Sequence, residues 1–140
     1  DPQVYHDAMA RLKRKIDGAR EHLPAPVIRE EEKKDLGVIF YGSMENSIVE
    51  IDDMLEESGL SVSTCRIRAL PLHSDVEDFV RRHDRTIVLE INRDGQLFGI
   101  IRKEFPAELI PKIHSVSYSD GMPPRARVYS DMILEVLEGL

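Results

Sequence analysis

The sequence predicts a three-layer α/β domain, with a mainly parallel β-sheet between two layers of helices, preceded by an N-terminal helical arm. Strand-like and helix-like segments alternate four times between residue 36 and the end of the chain. Such alternation requires crossover connections, which place parallel strands in one sheet and helices on both of its faces. The residues before this region keep helical spacing and then meet two prolines. We therefore expect an N-terminal helix and linker over residues 1–35 and an α/β domain over residues 36–140.

The arm is predicted to be an amphipathic helix, because its apolar residues recur every three or four positions. These residues are Tyr5, Met9, Leu12, Ile16, Ala19 and Leu23. Asp1 is a suitable N-cap, and Pro2 suits the first helical position because the N–H that it lacks would have no partner there. If the domain leaves this apolar stripe uncovered, we expect copies of the chain to pair through it as a homo-oligomer.

The linker reads LPAPVIREEEKKD over residues 23–35. Its two prolines and its run of charges break both the helical and the strand period. We expect an exposed connector or an edge segment here.

The first half of the domain is predicted to hold two strands, over residues 36–42 and 60–68, and two helices. The run LGVIFYG is apolar throughout, as in a strand covered on both faces. Ser43 is expected to cap the first helix, which ends at Ser58-Gly59. The second helix is short and spans residues 74–83. The residues expected to face the core from these two helices are Met44, Ile48, Ile51, Leu55, Val76, Phe79 and Val80.

The second half is predicted to hold strands over residues 85–91 and 112–119. A helix over residues 94–105 lies between them and ends before Pro106. A last helix covers ARVYSDMILEVLEGL, and its expected buried residues are Tyr129, Met132, Ile133, Val136 and Leu137.

Composition excludes several classes of function. The net charge of −7 is the wrong sign for a protein that binds nucleic acid, and the run RLKRK is read as a solvated helix face. A single cysteine, Cys65, permits neither an internal disulfide nor a cysteine-ligated metal or iron–sulfur site. No stretch approaches the roughly 18 apolar residues of a membrane helix, and no signal peptide is visible, so we expect a cytoplasmic location. Since the chain opens Asp-Pro-Gln without Met, we expect a piece of a longer polypeptide.

Functional groups in an open α/β sheet gather beyond the carboxyl ends of the strands, and two such edges give weak signals. At YGS, the N–H groups near Gly42 and Ser43 could hold an anion. The chain lacks both GxGxxG and GxxxxGK[ST], so an ordinary helix cap is the favoured interpretation. At RALPLHS, Pro71 forces Leu70 into an extended conformation, and His73 opens the next helix. We expect a structural or exposed histidine, because no ligand set accompanies it.

The third edge, LEINRDGQLFGII, is the most informative. Glu90 lies at the end of a buried strand, where a carboxylate is costly unless N–H groups or a cation surround it. Asn92 favours a turn, Gly95 supplies a free φ, and Gln96 begins the next helix. These polar groups could face a ligand or a partner subunit. Alternatively, Glu90 could accept from N–H groups of neighbouring βα loops and fix the rim of the sheet. We favour the second interpretation, since no nucleophile or metal-ligand set is present, and we assign no catalytic, cofactor-binding or metal-binding residue.

The ordered set of motifs ExNRDGQL, the earlier RxRALP and VIFYGS, and the later SYSDGMPP resembles the C-terminal region of the alpha subunit of 2-oxoacid:ferredoxin oxidoreductases. The opening DPQVYHDAMARLKRKI and the following LPAPVI are similar to the helix and linker before that region. The resemblance covers essentially the whole chain. It implies a domain like the transketolase C-terminal domain.

The resemblance also implies a function. Enzymes of this family oxidatively decarboxylate a 2-oxoacid with coenzyme A and thiamine diphosphate, and they pass electrons through iron–sulfur clusters to ferredoxin. The thiamine diphosphate and Mg²⁺ site would belong to the partner beta subunit, and no cofactor is expected in this piece. The chain would then be a non-catalytic structural and assembly domain, inactive alone. Two alternatives stay open: a regulatory domain that binds an anionic effector, and the matching domain of a transketolase-like or 2-oxoacid dehydrogenase-like enzyme.

One position departs from the family, which commonly has Gln where this chain has Ile91. An apolar residue there suggests inward packing. The positions that match the motif, Glu90, Asn92, Gly95 and Gln96, are carried over as rim or interface residues without a catalytic step.

Overall fold

The computed structural model describes residues 1–33 and 35–140, so Lys34 of the predicted linker lies outside the described residues. Within these described residues, five strands form one sheet in the order β1-β3-β2-β4-β5. Strand β1 pairs antiparallel with β3, and all other neighbours are parallel. The predicted mainly parallel sheet is confirmed. The strands are β1 (Val27–Arg29), β2 (Leu36–Tyr41), β3 (Val62–Ile67), β4 (Arg85–Glu90) and β5 (Ile113–Ser117).

The five predicted helices are all present. They are α1 (Pro2–Ala19), α2 (Glu45–Glu57), α3 (Ser74–Arg82), α4 (Gln96–Glu104) and α5 (Ala126–Glu138). Short 3₁₀ turns cover Arg20–His22, Gly42–Met44 and Ala107–Lys112. Helix α4 begins at Gln96 rather than at the predicted Asp94, because Asp94 and Gly95 belong to the turn before it. No helix in the described part of the chain has both the length and the apolar character needed to cross a membrane.

Two apolar layers cover the sheet. Leu36, Val38 and Phe40 of β2 pack toward α2 and α5, whereas Ile39 packs toward α3 and α4. This alternation follows from the strand period of two, and it confirms the predicted three-layer arrangement. Of the α5 residues expected in the core, Tyr129 and Ile133 are fully buried. The other three, Met132, Val136 and Leu137, are partly buried against the same cluster.

Helix α3 approaches β2 very closely at Gly37. A Cβ atom at Gly37 would lie 2.7 Å from the Phe79 ring and 3.1 Å from the His83 ring. Those two rings contact each other at a tilt of 38°, with centroids 4.3 Å apart, and His83 Nδ1 lies 2.7 Å from the Phe79 carbonyl oxygen. The glycine therefore makes room for an aromatic pair that fills this side of the core.

The linker contributes the edge strand β1, which fits its prediction as a connector or edge segment. Arg29 of β1 pairs with Asp52 of α2, and Glu30 pairs with Arg82 of α3 at 2.6 Å. These ion pairs tie the linker to helices on both faces of the sheet. The division into residues 1–35 and 36–140 stays a prediction, although β1 joins the sheet from within the first part.

The predicted cap at Ser43 is wrong. The N-cap of α2 is Met44, and no side chain caps this helix. The chain turns at Gly42, with φ of +62°, and makes a 3₁₀ turn before the helix begins. Because of this extra turn, Ser43 lies inside the turn instead of at the start of α2.

Helix α1 begins as predicted, since the Asp1 side chain accepts a hydrogen bond from the Gln3 N–H at 2.9 Å. None of its residues is buried. An ion pair of 3.1 Å joins Arg20, after the helix, to Glu104 of α4. The apolar stripe of the arm is thus left without cover by the described residues of the chain.

Candidate functional site

Polar groups meet at the carboxyl ends of β4 and β5. We call this group the rim cluster; it consists of Glu90, Asn92, Ser117 and the backbone of Gly95. The side chain of Glu90 is fully buried. Its Oε1 accepts from the Leu97 N–H at 2.7 Å and from the Asn92 amide at 2.9 Å. Its Oε2 accepts from the Phe98 N–H at 3.0 Å. Three donors therefore compensate the buried carboxylate.

Two of these donors belong to the first turn of α4. The first N–H groups of a helix have no partner within the helix, and the helix dipole favours negative charge there. The N-cap residue is Gly95, which has no side chain that could accept hydrogen bonds from these N–H groups. The Glu90 carboxylate thus acts as the anion at this helix start, supplied by the preceding strand.

Asn92 links three strands at the rim. Its Oδ1 accepts from the Asp94 and Gly95 N–H groups, at 3.0 and 2.8 Å. Its amide also donates to the Tyr41 hydroxyl at the end of β2, at 3.2 Å. The Ser117 hydroxyl, from the end of β5, donates to the Asn92 carbonyl oxygen at 2.5 Å. The turn after β4 is therefore fastened to both neighbouring strands.

Gly95 meets the predicted need for a free backbone angle. Its φ is +61°, and a Cβ atom there would lie 3.2 Å from the Ser115 hydroxyl oxygen. The Gly95 N–H also donates to the Ser117 hydroxyl at 3.1 Å. Both the left-handed conformation and the tight surroundings favour glycine here.

Gln96, Gly42 and Ser43 lie outside the rim cluster and are exposed. Gln96 and Gly42 instead line a cavity of about 510 Å³ beside the rim. Its other lining residues are Tyr41, Ile67, Arg68, Ala69, Leu70, Leu97 and Ile100. The cavity lies where strand order reverses around β2, since β3 flanks it on one side and β4 on the other. Ligands of open α/β sheets bind at such switch points.

Sequence reasoning missed Tyr41 and Ser117 of this rim. Both are the last residues of their strands, and the carboxyl ends of parallel strands share one edge of the sheet. Their position at the ends of parallel strands is therefore the signal from which both residues could have been predicted.

Ile91, the departure from the family motif, is partly buried and packs against the core, as expected of an inward position.

Two candidate reactive groups lie elsewhere in the chain, Cys65 and His73. Burial raises the pKa of the Cys65 thiol to about 12, so this thiol is protonated at neutral pH. His73 is the N-cap of α3, and its Nδ1 accepts from the Asp75 N–H at 3.2 Å, which agrees with the structural histidine expected there. Among the side chains that the structure describes, no three His, Cys, Asp or Glu residues come together as metal ligands would.

The motif SYSDGMPP forms a turn after β5. A hydrogen bond from the Met122 N–H, joined by those from Tyr118 and Arg125, holds the pKa of Asp120 below its usual range. The Ser47 hydroxyl of α2 donates to the Pro124 carbonyl oxygen at 2.9 Å. This motif therefore shapes the entry to α5.

No protein-family model matches the chain, and no curated protein matches it in sequence. Among solved structures, it resembles the 2-oxoglutarate:ferredoxin oxidoreductase from Magnetococcus marinus with 2-oxoglutarate, coenzyme A and succinyl-CoA bound, with a TM-score of 0.74 and 23% identity over 93% of this chain. It also resembles a split-gene transketolase, an inactive beta4 tetramer, with a TM-score of 0.56 and 18% identity over 77% of this chain.

The chain spans 23% of the length of the first of these proteins and 40% of the second. At such identities the likeness shows a shared fold. The predicted resemblance to the α/β domains of 2-oxoacid:ferredoxin oxidoreductases and transketolases is confirmed at that level.

Proposed function

We propose that this chain is a non-catalytic assembly domain in the alpha subunit of a thiamine-diphosphate-dependent 2-oxoacid:ferredoxin oxidoreductase. It would contact the rest of the alpha subunit and the beta subunit. Ferredoxin and coenzyme A would be partners of the whole complex, and nucleic acid and membranes would not be partners. The fold likeness and the ordered motifs of the sequence support this proposal, as does the rim geometry.

One observation carries the non-catalytic assignment: both oxygens of Glu90 are engaged by donors of the same chain. A general acid or base must reach a proton on its substrate. Glu90 is fully buried, and its donors belong to the scaffold itself. The rim cluster is therefore suited to fixing the sheet edge, with Gln96, Gly42 and Ser43 exposed beside it for contact with other domains.

The cofactors of such an enzyme would lie elsewhere. The donor set here does not suit Mg²⁺ or an iron–sulfur cluster, because the single cysteine is buried and the rim carboxylate is already compensated. We assign thiamine diphosphate, Mg²⁺ and the clusters to other domains or subunits, and we propose a cytoplasmic location for the complex.

Isothermal titration calorimetry of the chain alone tests this assignment. We expect no binding of thiamine diphosphate, with or without Mg²⁺, and none of coenzyme A, tighter than about 100 µM. The physical reason is that no described cluster offers a pyrophosphate cradle or metal ligands. Micromolar binding of either compound would place a cofactor site in this chain and refute the proposal.

A second test uses Gln96→Ala in the complete enzyme. Because Gln96 is exposed and donates to no rim residue, its loss should leave the unfolding free energy of the chain within about 0.5 kcal/mol of wild type. We expect weaker subunit assembly, measured by size-exclusion chromatography with light scattering. Asn46→Ala, which removes an exposed amide from α2, is the matched control and should assemble normally. Normal assembly of Gln96→Ala with abolished turnover would indicate a catalytic role instead.

The cavity at the switch point favours a second candidate function, a regulatory domain for an effector. Arg68 lines this cavity and could attract an anion. The N–H groups at the start of α4 would be further donors to that anion, but the Leu97 N–H already donates to Glu90. Titration with inorganic phosphate, followed by NMR shifts of the Gly42 and Arg68 amides, tests this candidate. Saturable shifts at these amides would favour the regulatory function, and their absence would favour the assembly domain.

The third alternative keeps the fold within a transketolase-like or 2-oxoacid dehydrogenase-like enzyme. The neighbouring coding sequences distinguish it from the ferredoxin-linked enzyme. Subunits rich in cysteine at ferredoxin-like spacing would support the proposed oxidoreductase. Neighbours without such cysteines would favour the alternative.

A further inference from the structure

Helix α1 carries a contact surface that the described chain does not use. We call it the arm seam: Tyr5, Met9, Leu12 and Ile16. These side chains are 64, 43, 49 and 48% exposed. A helix gains most of its stability from packing an apolar face, and α1 buries no residue. Another element is therefore needed to cover this face.

The spacing of the seam indicates what kind of element fits it. From Tyr5 through Met9, Leu12, Ile16 and Ala19 to Leu23, the intervals are four, three, four, three and four residues. This is a strict heptad pattern with apolar a and d positions, which is typical of a helix packed against one other helix. The narrow seam suits a two-helix contact better than a broad sheet surface.

The flanks of the seam disfavour pairing between copies. With Met9 and Ile16 at position a, the flanking e and g positions are His6, Ala8, Lys13, Lys15, Arg20 and His22. None of them is acidic. In a parallel pair, Lys15 would face Arg20 of the other copy, whose charge Glu104 balances only in part. An antiparallel pair would also bring basic flanks together. Like charges at these positions oppose association.

An intrahelical ion pair does not remove this basic character. Lys13 pairs with Asp17 at 2.7 Å, but the two side chains are 76 and 54% exposed. Exposed pairs of this kind contribute little and rearrange easily. Lys13 and Lys15 are therefore available to carboxylates of an approaching helix.

We propose that the arm seam docks against an acidic amphipathic helix of a partner protein, which carries apolar residues at heptad spacing and carboxylates on both flanks. The apolar residues would fill the seam, and the carboxylates would meet Lys13 and Lys15, since Arg20 already pairs with Glu104. The apolar stripe alone predicts pairing between copies of the chain. Because the flanks of the seam are basic, we propose an acidic partner helix as its occupant instead.

A synthetic helix of three heptads serves as the probe, with Ile at a, Leu at d and Glu at e and g. Calorimetry with the 140-residue chain should show one peptide bound per chain, with affinity that falls as salt rises toward about 1 M. The same peptide with Lys at e and g should not bind. Sedimentation should show the chain alone as a monomer.

Charge reversal sharpens the test. In Lys13→Glu/Lys15→Glu, binding of the acidic probe should weaken by about tenfold or more, and the basic probe should now bind. Arg11→Glu/Arg14→Glu changes the charge equally at positions c and f of the heptad, outside the e and g flanks, and should keep the original preference. Circular dichroism checks that both variants remain folded.

Three results would overturn the proposal. The first is self-association of the chain that Leu12→Glu abolishes, which would make a second copy the occupant. The second is equal binding of both probes, and the third is binding of neither. The arm seam shares no residue with the rim cluster, so any of these results would leave the proposed role of the rim unaffected.

Discussion

Glu90→Ala should lower the free energy of unfolding by about 3 kcal/mol, because it leaves a buried N–H group, that of Leu97, and a partly buried one, that of Phe98, without an acceptor at the start of α4. The Asn92 amide loses a partner as well, so the turn that fastens β4 to β2 and β5 loosens. Urea denaturation of the chain, followed by circular dichroism, measures this change.

Glu50→Ala is the control, since Glu50 is an exposed carboxylate on α2. It should change the unfolding free energy by less than about 0.5 kcal/mol. Glu90→Gln keeps one oxygen acceptor and should fall between the two. If Glu90→Ala proved as stable as wild type, the carboxylate would not be bracing the rim.

Gly37→Ala should destabilise the chain by about 2 kcal/mol. Its Cβ would lie 2.7 Å from the Phe79 ring, which is packed against His83 in the core and cannot swing into solvent. Either α3 moves away from β2 or the ring pair shifts, and overpacking of this kind typically costs about 1–3 kcal/mol. Thermal and urea unfolding measure the loss.

Gly99→Ala makes the same chemical change in an open position. Gly99 lies in α4 with nothing within 4 Å of its would-be Cβ. Since alanine favours the helix over glycine, we expect stabilisation of about 0.5–1 kcal/mol. Similar effects at both glycines would show that the close approach at Gly37 does not matter.

Most of the fold was predictable because apolar periodicity reports burial directly. The uniform run of β2 and the three-and-four spacing of α2 and α5 each identified an element that the structure contains. Strand β1 was harder to assign, since three residues between prolines and charges give no clear period. Its pairing with β3 depends on tertiary structure.

The candidate site was predictable in part. The cost of burying a carboxylate indicated that Glu90 must meet N–H donors, and it does. The backbone donors are N–H groups in the first turn of α4 rather than those of neighbouring loops, and the Asn92 side-chain amide is the third donor. Tyr41 and Ser117 join the rim through strand register, which one sequence does not reveal. The contact of Gly37 with Phe79 is hidden for the same reason, because it joins β2 to α3 across the core.

Turnover per assembled complex in Glu90→Gln tests the central claim, that the rim carboxylate braces a scaffold, most directly. Gln keeps the shape of the side chain but cannot act as a general acid or base. We expect lower thermal stability, with turnover of the assembled enzyme within about twofold of wild type. A normally assembled and stable complex with turnover reduced about 100-fold or more would contradict the claim, since losses of that size are typical of a missing acid–base group.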